Sequence, residues 1–270
     1  LCDPQLGQAD TAVVATALAG AEVAYQDLKA ALLVAGAAGG MHVEDMESTL
    51  RRYSAMRRAV QQAAKAALGF TPAQPLLALM PGSRSNEIKL LAPEFLQAAA
   101  QLQQQSPELQ LVCNMVTPAK AELFSQIWRE VAPDLKLTLL TGKARLTLTA
   151  ADAVLIASGT ATLEAMLAKC LMVVAYRANW LTYQIGKRLV KLAHFSLPNL
   201  LAGRGMVPEL LQHQVSPQAL VTAMLPQLTA NRSQLLLEYR SIHQQIKCDA
   251  SAKAAQAILQ VIQDDAVPTA

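Results

Sequence analysis

Pro81-Gly82-Ser83-Arg84 is a turn whose residue types suit phosphate chemistry. It follows the apolar run Leu76–Met80 and precedes a segment of helical spacing, so a strand gives way to a helix there. Gly82 lets backbone N–H groups approach a phosphate, and Arg84 supplies a two-pronged cationic donor. The Gly-Lys-Ser/Thr ending of a Walker A loop is absent. An ordinary tight turn capped by Ser83 explains the same residues, and position alone leaves both interpretations open.

A second turn, Ser158-Gly159-Thr160-Ala161-Thr162-Leu163-Glu164, lies between the apolar run Ala153–Ala157 and a helical segment. At a strand's carboxyl end and a helix's first turn, free N–H groups and the helix dipole favour an anion. Glu164 follows Thr160 by about one helical turn, where its carboxylate can accept two hydroxyl protons from a ribose. Alternatively, Ser158 or Thr160 caps the helix and Glu164 stabilises its first turn. Taken alone, the stretch fits this capping pair better.

Two later segments carry further candidate groups. Asn199 lies in a predicted loop at 196–205, and Glu209 follows it. Loops often carry functional residues, yet a loop rich in Pro and Gly is also an ordinary connector, and spacing leaves both interpretations open. The segment 180–192 combines aromatic residues at one end with Lys187, Arg188 and Lys191 among aliphatic residues. This pattern is compatible with a helix on an anionic membrane surface and equally with a core helix that has a basic outer face.

The elements that position these turns alternate between strand and helix from Leu76 onward. Apolar runs predict strands at 76–80, 109–114, 135–140, 153–157 and 171–175. Helical spacing predicts helices at 87–105, 118–131 and 163–170, with a short helix or loop at 143–150. The repetition predicts an α/β fold: a Rossmann-like, doubly wound parallel sheet with a ligand at the carboxyl ends of its strands.

The remaining segments are predicted to be helical and divide the chain into three parts. Further helices are expected at 180–193, 206–213, 217–228, 232–246 and 250–262, and two or three precede the linker at 71–75. We therefore expect a short helical N-terminal segment at 1–70, a Rossmann-like domain at 71–229 and C-terminal helices at 230–270.

Composition excludes several classes of function. The chain has 270 residues, 53% of them hydrophobic and only 4% aromatic, with a formal net charge of +3. This balance is too weakly basic to indicate a nucleic-acid partner. The four cysteines and four histidines are scattered without metal-ligand spacing, which predicts reduced thiols and no metal site. No apolar run reaches the roughly 18 residues of a membrane span, so any membrane contact is expected to be peripheral.

Several motifs in the same order resemble the lipid-A-disaccharide synthase family over about residues 59–262. They are Pro81-Gly82-Ser83-Arg84, the stretches 157–164 and 166–170, Met172-Val-Val174 with Tyr176-Arg177, the segment 196–204, and the segment 243–248. The resemblance implies an inverting glycosyltransferase with two Rossmann domains and neither a metal nor another cofactor. Its members transfer 2,3-diacylglucosamine from UDP to the 6-hydroxyl of 2,3-diacylglucosamine 1-phosphate, in lipid A biosynthesis at the inner membrane of Gram-negative bacteria.

The resemblance also implies roles for individual residues. The diphosphate of the UDP-sugar donor is expected at Gly82, Ser83 and Arg84. The nucleotide is expected at Ser158, Gly159, Thr160 and Thr162, with the ribose at Glu164. Asn199 and Glu209 are expected to face the donor. Arg84 and the helix N-terminus would stabilise the charge that develops on UDP as it leaves.

The opening of the sequence departs from this family pattern. Only about 68 residues precede the matching part, and they contain no counterpart of the glycine-rich turn and the aspartate loop that carry the family's general base. We interpret 1–70 as a remnant or replacement of the acceptor domain, with the activity of this chain impaired and its general base unknown. The alternative is a non-catalytic module that binds a UDP-sugar or a partner. The family further implies a homodimer on the cytoplasmic face of the inner membrane.

Overall fold

A computed structural model describes residues 43–178, 193–229, 233–247 and 254–260. Its centre is a six-stranded sheet in the order β3-β2-β1-β4-β5-β6, with every neighbouring pair parallel. The strands are β1 (Leu76–Met80), β2 (Gln110–Met115), β3 (Thr138–Thr141), β4 (Ala153–Ala157), β5 (Leu171–Tyr176) and β6 (Glu209–Leu211). The strand order reverses direction between β1 and β4. The predicted α/β class and doubly wound parallel sheet are therefore confirmed.

Helices cover both faces of the sheet. They are α1 (Val43–Ala67), α2 (Ser85–Gln105), α3 (Pro118–Val131), α4 (Ala144–Ala150), α5 (Thr160–Leu167), α6 (Leu197–Ala202), α7 (Pro217–Thr229) and α8 (Ser233–Ile246), and residues 254–260 are also helical. Alternate residues of β1 point to opposite faces, so Leu77 and Leu79 join one core and Leu76 and Ala78 the other. The first core contains side chains of α2, α3 and α7, and the second those of α1, α4, α5 and α8.

Most predicted elements are confirmed within a few residues, and two are wrong. The predicted helix at 206–213 is instead the edge strand β6 followed by a 3₁₀ turn, Gln212–Gln214. Pro208 disfavours a helix in this segment because proline lacks the N–H that a helix interior needs. The Pro208 carbonyl instead accepts a hydrogen bond from the Val174 N–H at 2.9 Å. The predicted loop at 196–205 contains α6, because Pro198 suits a first helical turn and Gly203 ends the helix with φ +65°.

Smaller differences concern the ends of the sheet and the chain termini. β3 begins three residues later than predicted, and α1 is one continuous helix of 25 residues. The helix expected at 180–193 and everything before residue 43 lie outside the described residues. Among the helices that are described, none is long and apolar enough to cross a membrane.

An ion pair between a buried lysine and a half-buried aspartate attaches α1 to the sheet. Lys65 Nζ lies 2.7 Å from Asp152 Oδ2 and also donates to the Gln74 carbonyl at 2.6 Å. The Asp152 carboxylate further accepts from the Leu76 N–H at 2.8 Å and from Gln61 Nε2 at 2.9 Å. Asp152 therefore joins α1 to the start of β1 at the amino edge of the sheet. The domain boundary at residue 71 stays a prediction, but α1 packs directly on the domain that follows it.

We predict that Asp152→Ala destabilises the fold more than Lys65→Met. Removing the carboxylate leaves the buried Lys65 ammonium without its counter-ion, which costs about 3–5 kcal/mol. Removing the ammonium leaves a half-buried carboxylate that keeps two hydrogen bonds, so we expect a loss of about 1–2 kcal/mol. Urea unfolding followed by circular dichroism measures both, and Lys89→Met on exposed α2 surface is the control. Equal losses for all three variants would contradict this assignment.

Candidate functional site

The two predicted phosphate turns lie side by side at one edge of the sheet. Met80, the last residue of β1, pairs in register with Ile156 of β4. The turn after β1, which contains Gly82, Ser83 and Arg84, therefore emerges beside the turn after β4. This is the point where the strand order reverses, which is where open α/β sheets commonly bind ligands. We call it the switch-point site.

The first turn of the switch-point site is held by the carboxylate of Glu87. Glu87 Oε2 accepts from the backbone N–H groups of Ser83 at 3.1 Å and Arg84 at 3.2 Å, while Oε1 accepts from Arg84 Nη1 at 2.7 Å. Gly82 has φ +120°, and a Cβ on it would lie 2.6 Å from both Cβ and Oε2 of Glu87. Only glycine fits beside this carboxylate.

This geometry changes the expected role of the first turn. The N–H groups of Ser83 and Arg84, which the sequence assigned to a phosphate, are already bound to Glu87. The Arg84 side chain is nevertheless 82% exposed. Since a guanidinium has five N–H donors, most of them stay available to an anion after the contact with Glu87. Arg84, rather than the backbone of this turn, is the group that can bind phosphate here.

The second turn leaves its N–H groups open. Gly159 adopts φ +153°, which L side chains rarely adopt, and a Cβ on it would meet no atom within 4 Å. No side chain caps α5, so the capping-pair interpretation is wrong. Within the described part of the chain, the N–H groups of Gly159, Thr160 and Ala161 have no acceptor. They form an exposed cluster of donors at a helix N-terminus, which favours an anion.

The hydroxyl groups expected to line the nucleotide have internal partners. Ser158 Oγ donates to the Phe195 carbonyl at 3.0 Å, and Thr162 Oγ1 donates to the Gly159 carbonyl at 2.7 Å. Thr162 is fully buried. These two residues shape the turn, whereas Gly159 and Thr160 are its exposed members. Glu164 is exposed on α5 and lines a cavity on the outer side of that helix.

Asn199 and Glu209 hold the segment that borders the second turn. Asn199 is only 1% exposed; its Oδ1 accepts from the N–H groups of Met206 and Val207 at 2.7 and 2.8 Å, and its Nδ2 donates to the Val207 carbonyl at 2.9 Å. Glu209 accepts from the N–H groups of Phe195 and Ser196. Both side chains hydrogen-bond to backbone groups of the segment that borders the second turn, which supports a role in positioning that segment. Their direct contact with a donor stays a prediction.

Sequence reasoning did not anticipate the contacts that Glu87 and Arg177 make beside the switch-point site. The spacing Arg84-x-x-Glu87, in which a carboxylate sits three residues into a helix, was the available signal for the first. Arg177 follows β5 and pairs with Glu94 of α2 at 2.8 Å while donating to the carbonyls of Leu90 and Val215. It fixes the end of β5 to α2, and its partners are too distant in sequence for spacing to reveal them.

The two described cysteines add no reactive thiol to the site. Burial raises the pKa of the Cys113 thiol well above its usual range, and burial also raises that of Cys170. Both thiols therefore stay protonated and inert near neutral pH. His194 lies 3.5 Å from Glu209 and belongs to the same bordering segment. No group of three or more His, Cys, Asp and Glu residues that could hold a metal occurs among the described residues.

Comparison with known proteins places this arrangement in a family. The family model for lipid-A-disaccharide synthetase matches residues 54–261, from within α1 to the helical segment at 254–260. A lipid-A-disaccharide synthase of Yersinia pseudotuberculosis is 48% identical over 203 residues, which are 74% of this chain and 52% of that protein. The synthase of Escherichia coli K12 is 47% identical over 205 residues, or 75% of this chain and 54% of that protein. The chain spans about half the length of these curated relatives.

Solved structures with a similar fold include two glycosyltransferases. E. coli ADP-heptose LPS heptosyltransferase II is 13% identical, with a TM-score of 0.46 over 62% of this chain and 50% of that one. WaaG, a glycosyltransferase involved in lipopolysaccharide biosynthesis, is 16% identical, with a TM-score of 0.46 over 73% of this chain and 50% of that one. Likeness at this level is too low to identify an activity. The family model and the sequence identities to curated relatives do identify the family. This chain belongs to the lipid-A-disaccharide synthase family.

Proposed function

We propose that the chain binds a UDP-sugar at the switch-point site and takes part in transferring 2,3-diacylglucosamine to 2,3-diacylglucosamine 1-phosphate. The observation that carries the proposal is the pairing of β1 with β4, which sets the exposed Arg84 guanidinium beside the open N–H groups of Gly159 and Thr160. A diphosphate carries negative charge that both kinds of donor can bind. The proposed sugar and lipid acceptor are those implied by membership of the lipid-A-disaccharide synthase family.

The proposed chemistry is a substitution at the anomeric carbon of the donor sugar. The 6-hydroxyl oxygen of the acceptor forms a bond to that carbon and gives up its proton to a general base, which we do not assign to a residue, while the bond from the carbon to the diphosphate breaks. The electron pair of the broken bond passes to UDP, so negative charge grows on the diphosphate. Arg84 and the N-terminus of α5 stabilise that charge more strongly in the transition state than in the bound donor.

In this proposal, the carboxylates at the switch-point site have roles other than stabilising the leaving group. Glu164, one turn into α5, is the proposed partner of the ribose hydroxyls. Glu87 and Glu209 both accept hydrogen bonds from backbone N–H groups, so we assign neither of them as the base that takes the acceptor's proton. Glu87 instead orients Arg84 through the contact at 2.7 Å. Asn199 and Glu209 act by positioning the segment that borders the donor.

We further propose peripheral contact with the inner face of the inner membrane and a homodimer, as in the family implied by the sequence. Large exposed apolar side chains near the switch-point site support contact with lipid. Val116 follows β2, Tyr176 ends β5, and Leu200 and Leu201 lie on α6, with exposed fractions of 57, 37, 42 and 44% respectively. An acyl chain of a lipid substrate, or the membrane surface itself, can cover such side chains.

Arg84→Ala should weaken UDP binding by about tenfold or more, because it removes a charge-assisted contact to the diphosphate. Isothermal titration calorimetry on the full chain measures the affinity. Arg129→Ala is the matched control, since Arg129 is also exposed but lies in the last turn of α3, away from the carboxyl edge. We expect the control to bind UDP as the unsubstituted protein does. No UDP binding by folded, unsubstituted protein would refute the proposed site.

Asn199→Ala should lower stability first and UDP affinity only as a consequence. The substitution leaves the Met206 and Val207 N–H groups without their buried acceptor, at a cost of about 1–3 kcal/mol. Thermal melts compare it with Gln104→Ala, an exposed amide on α2. A variant that melts like the unsubstituted protein but loses turnover would instead assign Asn199 a direct catalytic role.

A turnover assay separates an enzyme from a binding module. The full chain is incubated with UDP-2,3-diacylglucosamine and 2,3-diacylglucosamine 1-phosphate, and UDP release and the disaccharide product are quantified. We expect both products in equal amounts, with a rate lowered by Arg84→Ala. UDP binding without any product would show that this chain retains the nucleotide site but not the transfer reaction.

A further inference from the structure

A cavity lined by basic side chains lies between α1, α4, α5 and α8, on the outer side of the helices that flank β4. Its volume is about 650 Å³. Five cationic side chains from all four sides line it: Arg57, Arg145, Lys169, Arg240 and Lys247. The same lining contains His243 and, among the described residues, one carboxylate, Glu164. We call this space the basic cavity. A local excess of positive charge of this size attracts anions.

Lys169 anchors the basic cavity at the end of α5. It is only 9% exposed and adopts φ +61°, a left-handed conformation unusual for a residue with a side chain. Its Nζ donates to the Leu167 carbonyl at 3.2 Å and lies 2.9 Å from His243 Nδ1 of α8. Arg57 of α1 donates to the Lys169 carbonyl at 3.3 Å. Three elements of the cavity are thus joined at this one residue.

The positive groups of the basic cavity disfavour one another's charge. Burial and the neighbouring Arg240 lower the pKa of Lys169 to about 8. Burial, Lys169 and Lys247 lower the pKa of His243. A bound anion would oppose both effects by stabilising the protonated forms. The cavity therefore has unfavourable charge repulsion that a ligand of opposite charge relieves.

Much of the remaining lining is apolar, which restricts the kind of anion that fits the basic cavity. Met56 and Val60 of α1, Leu148 of α4 and Leu167 of α5 line the same space. A free inorganic ion would leave this apolar surface in contact with water. A ligand that joins an anionic head to an apolar group covers it. Three of the five cationic side chains are arginines, which suit a phosphate monoester because arginine binds phosphate through paired N–H donors.

We propose that the basic cavity binds a phosphate monoester carrying an apolar group, at a site that adjoins the switch-point site at Glu164 but shares none of its phosphate-binding groups. The phosphate is held by the cationic side chains of α1, α5 and α8, and the apolar group lies against α1 and α4. The ligand is either a free organic phosphate or the headgroup of a phosphatidic-acid-type lipid. The proposal does not depend on UDP binding.

The first test measures binding of hexyl phosphate to the full chain by calorimetry. Unsubstituted protein should bind hexyl phosphate more tightly than inorganic phosphate and should not bind hexanol. Arg57→Gln should weaken the interaction by about tenfold, because one charged contact is lost. Arg58→Gln, the adjacent exposed arginine, should change it less than twofold. Equal effects of the two substitutions, or no binding of hexyl phosphate and of phosphatidic acid, would overturn the proposal.

A second variant covers the case in which Arg57→Gln disturbs folding through its bond to Lys169. Lys247→Gln removes an exposed charge at the rim, with the exposed Lys136→Gln as its control. Binding should fall for Lys247→Gln alone. In NMR titrations, hexyl phosphate should raise the pKa of His243, whereas a purely structural cavity would leave it unchanged. The Arg84→Ala variant should still show this rise in the pKa of His243 even if it no longer binds UDP. A negative result for one site therefore does not imply a negative result for the other.

Vesicles distinguish the two sources of the phosphate. Flotation is compared for phosphatidylcholine vesicles with and without phosphatidic acid. Binding that needs phosphatidic acid and Arg57 supports a lipid headgroup as the ligand. Binding of hexyl phosphate without such flotation supports a free organic phosphate. Flotation that is unaffected by Arg57→Gln and Lys247→Gln, with no binding of hexyl phosphate, contradicts the assignment of the cavity.

Discussion

Parallel pairing of β1 with β4 is the constraint on which the proposed function depends. The paired residues Leu79 of β1 and Leu155 of β4 are 76 positions apart in the chain, yet the carboxyl ends of the two strands open onto the same edge. The proposed anion site follows from that pairing, because the pairing brings the guanidinium of Arg84 and the first turn of α5 to the same edge. The helices on both faces hold the pair in place by burying it from water on either side.

Local patterns in the sequence were sufficient for most of the sheet. The runs that became β1, β4 and β5 are buried on both faces and consist almost wholly of apolar residues, so their strand identity is visible without a partner. β6 has only three half-buried residues, and its strand conformation comes from pairing with β5 rather than from its own residue pattern. Such a strand cannot be recognised before its neighbour is known.

The candidate site shows the same division between local and distant causes. The turns around Arg84 and Gly159 were predictable because glycine, arginine and hydroxyl residues stand between a strand and a helix. The hydrogen-bond partners of Ser158 and Asn199 were not predictable. Phe195 lies 37 residues after Ser158, and the Asn199 amide is hydrogen-bonded to a turn whose conformation has no recognisable sequence pattern. The Ser158 hydroxyl and the Asn199 amide, which the sequence suggested as ligand contacts, hold the framework of the site in place.

The close contact between Gly82 and Glu87 makes these two positions epistatic. A side chain at position 82 would collide with the carboxylate at 2.6 Å, so it would displace Glu87 and release the Ser83 and Arg84 N–H groups together. Because the Cβ of Glu87 is also only 2.6 Å away, the collision disappears only where residue 87 is glycine, and the backbone strain of φ +120° then remains. Changes at the two positions are therefore expected to be non-additive, and a family member that replaces one of them has reason to replace the other.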